Sequence, residues 1–124
     1  KLINYSIEKK IPLVAVCKGF QVIADYYNGK IKKCKNHVGT THNLKIDDKS
    51  RFVHYKQLTV NSFHNYGILR LPNQFNIISK TNDKFIEIAE HKEKKILCFM
   101  FHPERICKSK SNLKSVIKNF FKIQ

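Results

Sequence analysis

The sequence predicts an α/β fold built on a mixed sheet, and three observations carry that prediction. Leu13-Val14-Ala15-Val16 is an apolar run without alternation, the pattern of a strand buried on both faces of a parallel sheet. A helical period follows it at once from Lys18, so strand and helix read as a β-α unit. Beyond Gly29 come short extended runs separated by Asn, Gly, Asp and Ser, which implies antiparallel pairing beside the parallel unit.

Taken in chain order, Leu2, Ile3 and Ile7 with Tyr5 form the last turns of an amphipathic helix that begins upstream, and Pro12 breaks it. Between Lys18 and Asn28 the residues Phe20, Val22, Ile23, Ala24, Tyr26 and Tyr27 suit a helix packed on the sheet, with Gly29 as its left-handed stop. Extended runs are expected at Lys30 to Cys34, Thr41 to Ile46, Arg51 to Tyr55 and Leu58 to Val60. Phe75 to Ser79, Phe85 to Ala89 and Ile96 to Phe101 read as a meander that turns at Asn82-Asp83 and at Lys92 to Lys95. Ser111 is expected to cap a closing helix in which Leu113, Val116, Ile117, Phe120 and Phe121 line one face.

A chain of 124 residues supplies one core, so residues 1–124 form a single domain. Hydrophobic residues make up 42%, with nine Phe and five Tyr, enough apolar material to exclude a disordered tail. The 24 Lys and Arg against 9 Asp and Glu leave a net charge of +15. Such charge attracts nucleic acid, anionic lipid or a phosphorylated substrate, or it is simply a solvated surface. Only Arg51, Arg70 and Arg105 are arginine, the residue that bidentate phosphate recognition favours, so a solvated lysine surface comes first and nucleic acid is not the expected partner. No apolar run approaches the roughly 18 residues of a membrane span. Cys17, Cys34, Cys98 and Cys107 include no C-x-x-C pair, which fits a reducing, cytoplasmic compartment. His37 and His42 have four residues between them, but no carboxylate or thiolate is spaced to complete a site, so no metal is expected there.

The chemistry lies elsewhere. A thiol between a buried strand and the first turn of a helix, flanked by the small residues Ala15 and Gly19, is the sequence form of a nucleophile elbow. Backbone N–H groups at the helix N-terminus should lower the pKa of Cys17 and can stabilise an oxyanion. Downstream, His102 and Glu104 flank Pro103 just after an apolar strand, where an extended backbone would put both side chains on one side. With Cys17 they compose a Cys-His-Glu triad of nucleophile, proton carrier and orienting carboxylate.

The blocks Ile11 to Gln21, Val60-Asn61-Ser62-Phe63-His64 and His102-Pro103-Glu104 resemble, in order, the three signature blocks of class I glutamine amidotransferases, with Ala15 where the family commonly has Gly. The resemblance is greatest to the stand-alone γ-glutamyl hydrolase branch. Within it, Asn36-His37-Val38-Gly39 and Asn61 to Asn65 are similar to the capsule-biosynthesis members that act on γ-glutamyl-CDP-amidate.

This resemblance implies a flavodoxin-like sandwich whose N-terminal strands, with a Gly-rich loop carrying a second oxyanion donor, precede the elbow. The chain is therefore expected to be the C-terminal part of the domain, completed by an N-terminal segment or a complementary chain. It further implies that Cys17 attacks a γ-glutamyl amide, that the Lys18 N–H holds the oxyanion, and that His102 protonates the departing nitrogen. Gln21 and Asn61, Ser62, Phe63 and His64 match positions that hold the glutamate head group; no metal or cofactor is implied. Two rival expectations are a glutaminase subunit delivering ammonia to a synthase and a non-enzymatic basic module binding polyanions.

Overall fold

The computed structural model describes residues 2–122; Lys1, Ile123 and Gln124, the ends of the domain expected over 1–124, lie outside the described residues. The elements run α1 (Leu2–Lys9), β1 (Leu13–Val16), α2 (Lys18–Tyr26), β2 (Lys30–Lys33), β3 (Val38–Lys45) and β4 (Gln57–Phe63). Then follow β5 (Tyr66–Arg70), β6 (Phe75–Lys80), β7 (Ile86–His91), β8 (Ile96–Phe99) and α3 (Lys110–Phe121). The main sheet has the order β1-β8-β7-β5-β2 with β6 also paired to β7, while β3 and β4 form a separate antiparallel ribbon. Among the described residues only the β1–β8 pairing is parallel, so the sheet is mixed as expected.

Strand β8 is buried along its whole length, and its alternation divides the core. Ile96 and Cys98 pack with Ile3 of α1 and with Phe20, Ile23 and Ala24 of α2. Leu97 and Phe99 face the other layer, where Leu113, Val116 and Phe120 of α3 meet Leu44, Leu58 and Val60 of the ribbon. Each such fully buried large side chain contributes about 1.5–3 kcal/mol relative to exposure. In β1 only Ala15 is buried, because β8 is its one sheet neighbour among the described residues.

Several elements depart from expectation. The left-handed residue after α2 is Asn28, with φ 61°; Gly29 is needed for another reason, since a Cβ there would lie 2.7 Å from the Arg70 carbonyl oxygen. Arg51 to Tyr55 forms no strand. Its backbone is captured instead by side chains, with the Arg51 N–H on the Glu90 carboxylate at 2.6 Å and the Val53 N–H on Ser50 Oγ at 2.9 Å. Strand β5 was not expected; Gly67 within it accommodates the Phe85 ring, which lies 2.3 Å from where a Cβ would sit. Helix α3 begins after Ser109 rather than at Ser111, and the Ser109 hydroxyl accepts from the Thr59 N–H at 2.8 Å, tying the helix to β4 instead of capping it.

Candidate active site

Cys17 occupies a sharp turn between β1 and α2 with φ 52° and ψ −104°, a left-handed conformation costing a non-glycine residue about 1–3 kcal/mol. The surroundings hold it there. The Cys17 N–H donates to the Phe99 carbonyl at 2.7 Å, extending the β1–β8 ladder through the elbow. A Cβ on Gly19 would rest 3.7 Å from the Ala15 Cβ, an ordinary van der Waals contact, so the two small residues face each other across the turn.

The Lys18 N–H favours the thiolate. Burial nevertheless pushes the Cys17 pKa above its usual value; the Lys18 N–H and the Arg105 charge pull it down, while Glu87 and Glu104 add to the rise. The expectation of a thiol lowered by the helix terminus is thus corrected: desolvation outweighs the backbone dipoles.

His102 lies beyond the end of β8, the parallel neighbour of β1, so nucleophile and imidazole emerge at the same carboxyl edge of the sheet. Two devices fix it. Phe101 is buried and stacks on Phe99 with centroids 4.8 Å apart, anchoring the chain just before the histidine. The Asn61 side chain brackets the His102 backbone, donating from Nδ2 to its carbonyl at 2.8 Å and accepting from its N–H at 2.9 Å.

His102 Nδ1 contacts Glu104 Oε2 at 2.8 Å, which leaves Nε2 as the ring nitrogen turned to other partners. The pair is made by a turn rather than by strand alternation: the Arg105 N–H donates to the His102 carbonyl at 3.1 Å, with Pro103 at the turn's second position. Burial opposes ionisation of Glu104, but its own backbone N–H, the His102 ring and Arg105 together hold its pKa below the usual carboxylate value. Among the described residues no hydrogen bond joins the Cys17 thiol to His102, a looseness common where no substrate is bound.

The other predicted residues divide into two groups. Gln21 faces a shallow cleft that Lys18, Ile31 and Tyr66 also line, its Nε2 donating to the Tyr66 carbonyl at 3.1 Å. Phe63 is 40% exposed and presents its ring to His102 at a centroid separation of 6.2 Å. Asn61, Ser62 and His64, by contrast, are buried. Ser62 Oγ donates to the His37 carbonyl at 2.6 Å, and the His64 ring turns inward toward Cys34 and Glu87. Sequence reasoning overlooked Arg105, whose guanidinium lies over the Phe63 ring at 4.9 Å and whose charge reaches the thiol. The signal was its place, one residue after His102-Pro103-Glu104 in a chain with only three arginines.

Among the described residues, the cluster of side chains close enough to share a metal ion lies apart from Cys17, His102 and Glu104. This cluster, His37, His42, His64 and Glu87, has one ligand-capable atom per residue, all within 4.8 Å of one another. Sequence spacing offers His37 and His42 no carboxylate, yet the fold brings Glu87 to them from β7.

An elbow cysteine at the end of one strand and a His-Glu pair beyond the end of its parallel neighbour thus share one edge of an α/β sheet. The glutamine amidotransferase class-I family model matches residues 1–123, and the chain belongs to that family. The gamma-glutamyl-CDP-amidate hydrolase of Campylobacter jejuni is 36% identical over 105 residues, covering 85% of this chain and 48% of that enzyme. The glutamine-hydrolysing GMP synthase subunit of Methanococcus aeolicus is 26% identical over 123 residues, 98% of this chain and 64% of that protein. Among solved structures, a Thermoplasma acidophilum protein described as a GMP synthase subunit superposes with a TM-score of 0.83 at 20% identity, covering 96% of this chain and 61% of that one. The chain thus spans from about half to under two thirds of these relatives' lengths. Among the described residues no helix is long and apolar enough to cross a membrane.

Proposed function

We propose that this chain carries the nucleophile, proton carrier and orienting carboxylate of a γ-glutamyl hydrolase. The observation that supports this best is the left-handed Cys17 at the carboxyl end of β1 beside the Glu104-held His102 at the end of β8. Cys17 Sγ gives its proton to His102 Nε2 and attacks the γ-carbonyl of a glutamyl amide. The resulting oxyanion meets the Lys18 N–H. His102 returns the proton to the departing nitrogen, leaving a glutamyl thioester, and then takes a proton from the attacking water and passes it to the Cys17 sulfur as the thioester breaks and glutamate leaves. Glu104 keeps the ring in the tautomer this exchange needs. A second oxyanion donor is assigned to a segment outside these 124 residues or to a complementary chain. Gln21 and the exposed Phe63 border the space where the glutamyl group sits, and Arg105 offers it a cation. The four free cysteines fit a reducing, cytoplasmic setting.

The amine half is read as a phosphate-bearing nucleotide. Supporting this are the 36% identity to an enzyme named for γ-glutamyl-CDP-amidate and the +15 net charge, whose field recruits anions over the roughly 8–10 Å of physiological screening. The likeness to a glutamine-hydrolysing GMP synthase subunit favours a second reading, ammonia delivery from glutamine to a partner synthase.

Glutamate release from a nucleotide γ-glutamyl amide and from glutamine, each measured across a salt series, separates the two. The first reading predicts that kcat/KM for the charged substrate is higher and falls with salt, while that for glutamine changes little. Preference for glutamine with parallel salt responses supports ammonia delivery. No turnover of either by the chain together with the segment that supplies the second oxyanion donor, with polyanion binding indifferent to Cys17→Ala, supports the non-enzymatic module.

A further inference from the structure

We propose that His37, His42, His64 and Glu87 form a four-coordinate site for a divalent transition-metal ion of the zinc type, clamping the β3–β4 ribbon to the main sheet. These residues come from the loop before β3, from β3, from the end of β4 and from β7. Their proximity has a specific cause. His37 and His42 are five apart, which in a regular strand puts them on opposite faces. The register of β3 on β4 slips between Val38 and Thr40, where Gly39 has φ 67°, and this one-residue bulge turns both rings to one side with centroids 4.8 Å apart.

Two of the six separations among the four ligand-capable atoms are those of a ligand set, and all lie within 4.8 Å. His37 Nε2 contacts Asp83 Oδ2 at 2.7 Å, so Nδ1 carries the lone pair, and Nδ1 faces His42 Nε2 at 3.1 Å. His64 Nδ1 sits 3.1 Å from the Tyr66 carbonyl and donates to it, which leaves Nε2 as acceptor, 3.3 Å from Glu87 Oε2. A carboxylate or backbone carbonyl on the far nitrogen is the usual outer support of a metal-bound imidazole. Bonds of about 2.0–2.1 Å in a tetrahedron give edges of about 3.3 Å, close to both separations.

Buried polar atoms supply the independent argument. Among the described residues, His64 Nε2 and both Glu87 oxygens are buried with no hydrogen-bond partner. Glu90, on the same strand and equally buried, is by contrast satisfied by Ser50 Oγ at 2.9 Å and the Arg51 N–H at 2.6 Å. A buried carboxylate that faces the acceptor nitrogen of His64 and accepts no hydrogen bond is costly, and a dication between Glu87 and His64, with Asp83 behind His37, balances the local charge. Three imidazoles and one carboxylate suit zinc better than magnesium or calcium. A shallow pocket bordered by Asn36, His37, His42, Thr81 and Asp83 opens the cluster to solvent and provides a route of entry. With all four positions filled by protein, the ion is structural, a role separate from the chemistry at Cys17.

Chelator-stripped protein titrated with Zn²⁺ against a chromophoric chelator should bind one ion per chain, and Co²⁺ in its place should show the intense visible bands of four-coordinate geometry. His42 is only half-buried, so His42→Ala tests a ligand without emptying the core; it and Glu87→Gln should each weaken binding by more than about 100-fold. Asp83→Asn should weaken it by about 10–100-fold, and His54→Ala should leave it unchanged. Zn²⁺ should also raise the Tm of the wild type and not of His42→Ala. Absence of stoichiometric binding, or affinity unaffected in both His42→Ala and Glu87→Gln, overturns the proposal. None of these readouts depends on turnover.

Discussion

Replacing Asn61 with alanine removes both hydrogen bonds that bracket the His102 backbone, at 2.8 and 2.9 Å. The two losses are unequal. The His102 carbonyl keeps the Arg105 N–H at 3.1 Å, whereas the His102 N–H has no other protein partner among the described residues. A typical hydrogen bond is worth about 1 kcal/mol net and an orphaned buried donor costs about 1–3 kcal/mol, so Asn61→Ala should destabilise the fold by about 2–4 kcal/mol. Asn61→Asp keeps an acceptor for the N–H but sets a carboxylate oxygen against the His102 carbonyl at a buried position, so it should destabilise the fold no less than Asn61→Ala. Urea unfolding at unchanged m-value reads both. Because the bracket places the imidazole, a shift of about 1 Å in the Ala variant should lower kcat about 100-fold with little change in KM. A large stability loss with kcat intact would refute the reasoning, showing that Asn61 supports the ribbon and not the histidine.

Three further predictions rest on the same geometry. Because burial raises the Cys17 pKa, its alkylation in the free protein should keep accelerating above the usual thiol range, and Arg105→Ala should move that rise to still higher pH; a plateau near neutrality would contradict this. The depressed Glu104 pKa means that its contribution to stability is present above the ordinary Glu range and is lost as pH falls through the folded value. The carboxylate is 61% exposed, so the effect is small in a comparison of Glu104→Gln with wild type across an acid series, while turnover falls only in part. Gly67→Ala forces a Cβ against the buried Phe85 ring and should cost about 1–3 kcal/mol by thermal unfolding.

What the sequence made legible was what is local. Leu13 to Val16, the elbow at Cys17 and the helix after it are specified by adjacent residues, and α3 by its own apolar period. The placement of Cys17 after β1 and of His102 and Glu104 after β8 was legible because each sits in a short block. Features settled by distant partners were not. Arg51 to Tyr55 has strand-like composition, but Glu90, about forty positions away, takes its backbone. Strand β5 was hidden by Gly67, which reads as a breaker until Phe85 is placed against it. His37 and His42 belong to opposite faces on paper, and the bulge at Gly39 reverses that, bringing Glu87 within their reach. Burial, which decides the direction of the Cys17 pKa, has no sequence signature at a single residue.

The central claim is that Cys17 forms the covalent bond to the glutamyl group. Rapid acid quench during turnover of a γ-glutamyl amide, followed by peptide mapping, tests it most directly. One added glutamyl group is expected on the peptide containing Cys17, as a species that forms and decays at rates consistent with turnover and is absent in Cys17→Ala. Continued hydrolysis in Cys17→Ala, or a glutamyl adduct on Cys34, Cys98 or Cys107 in its place, would contradict it.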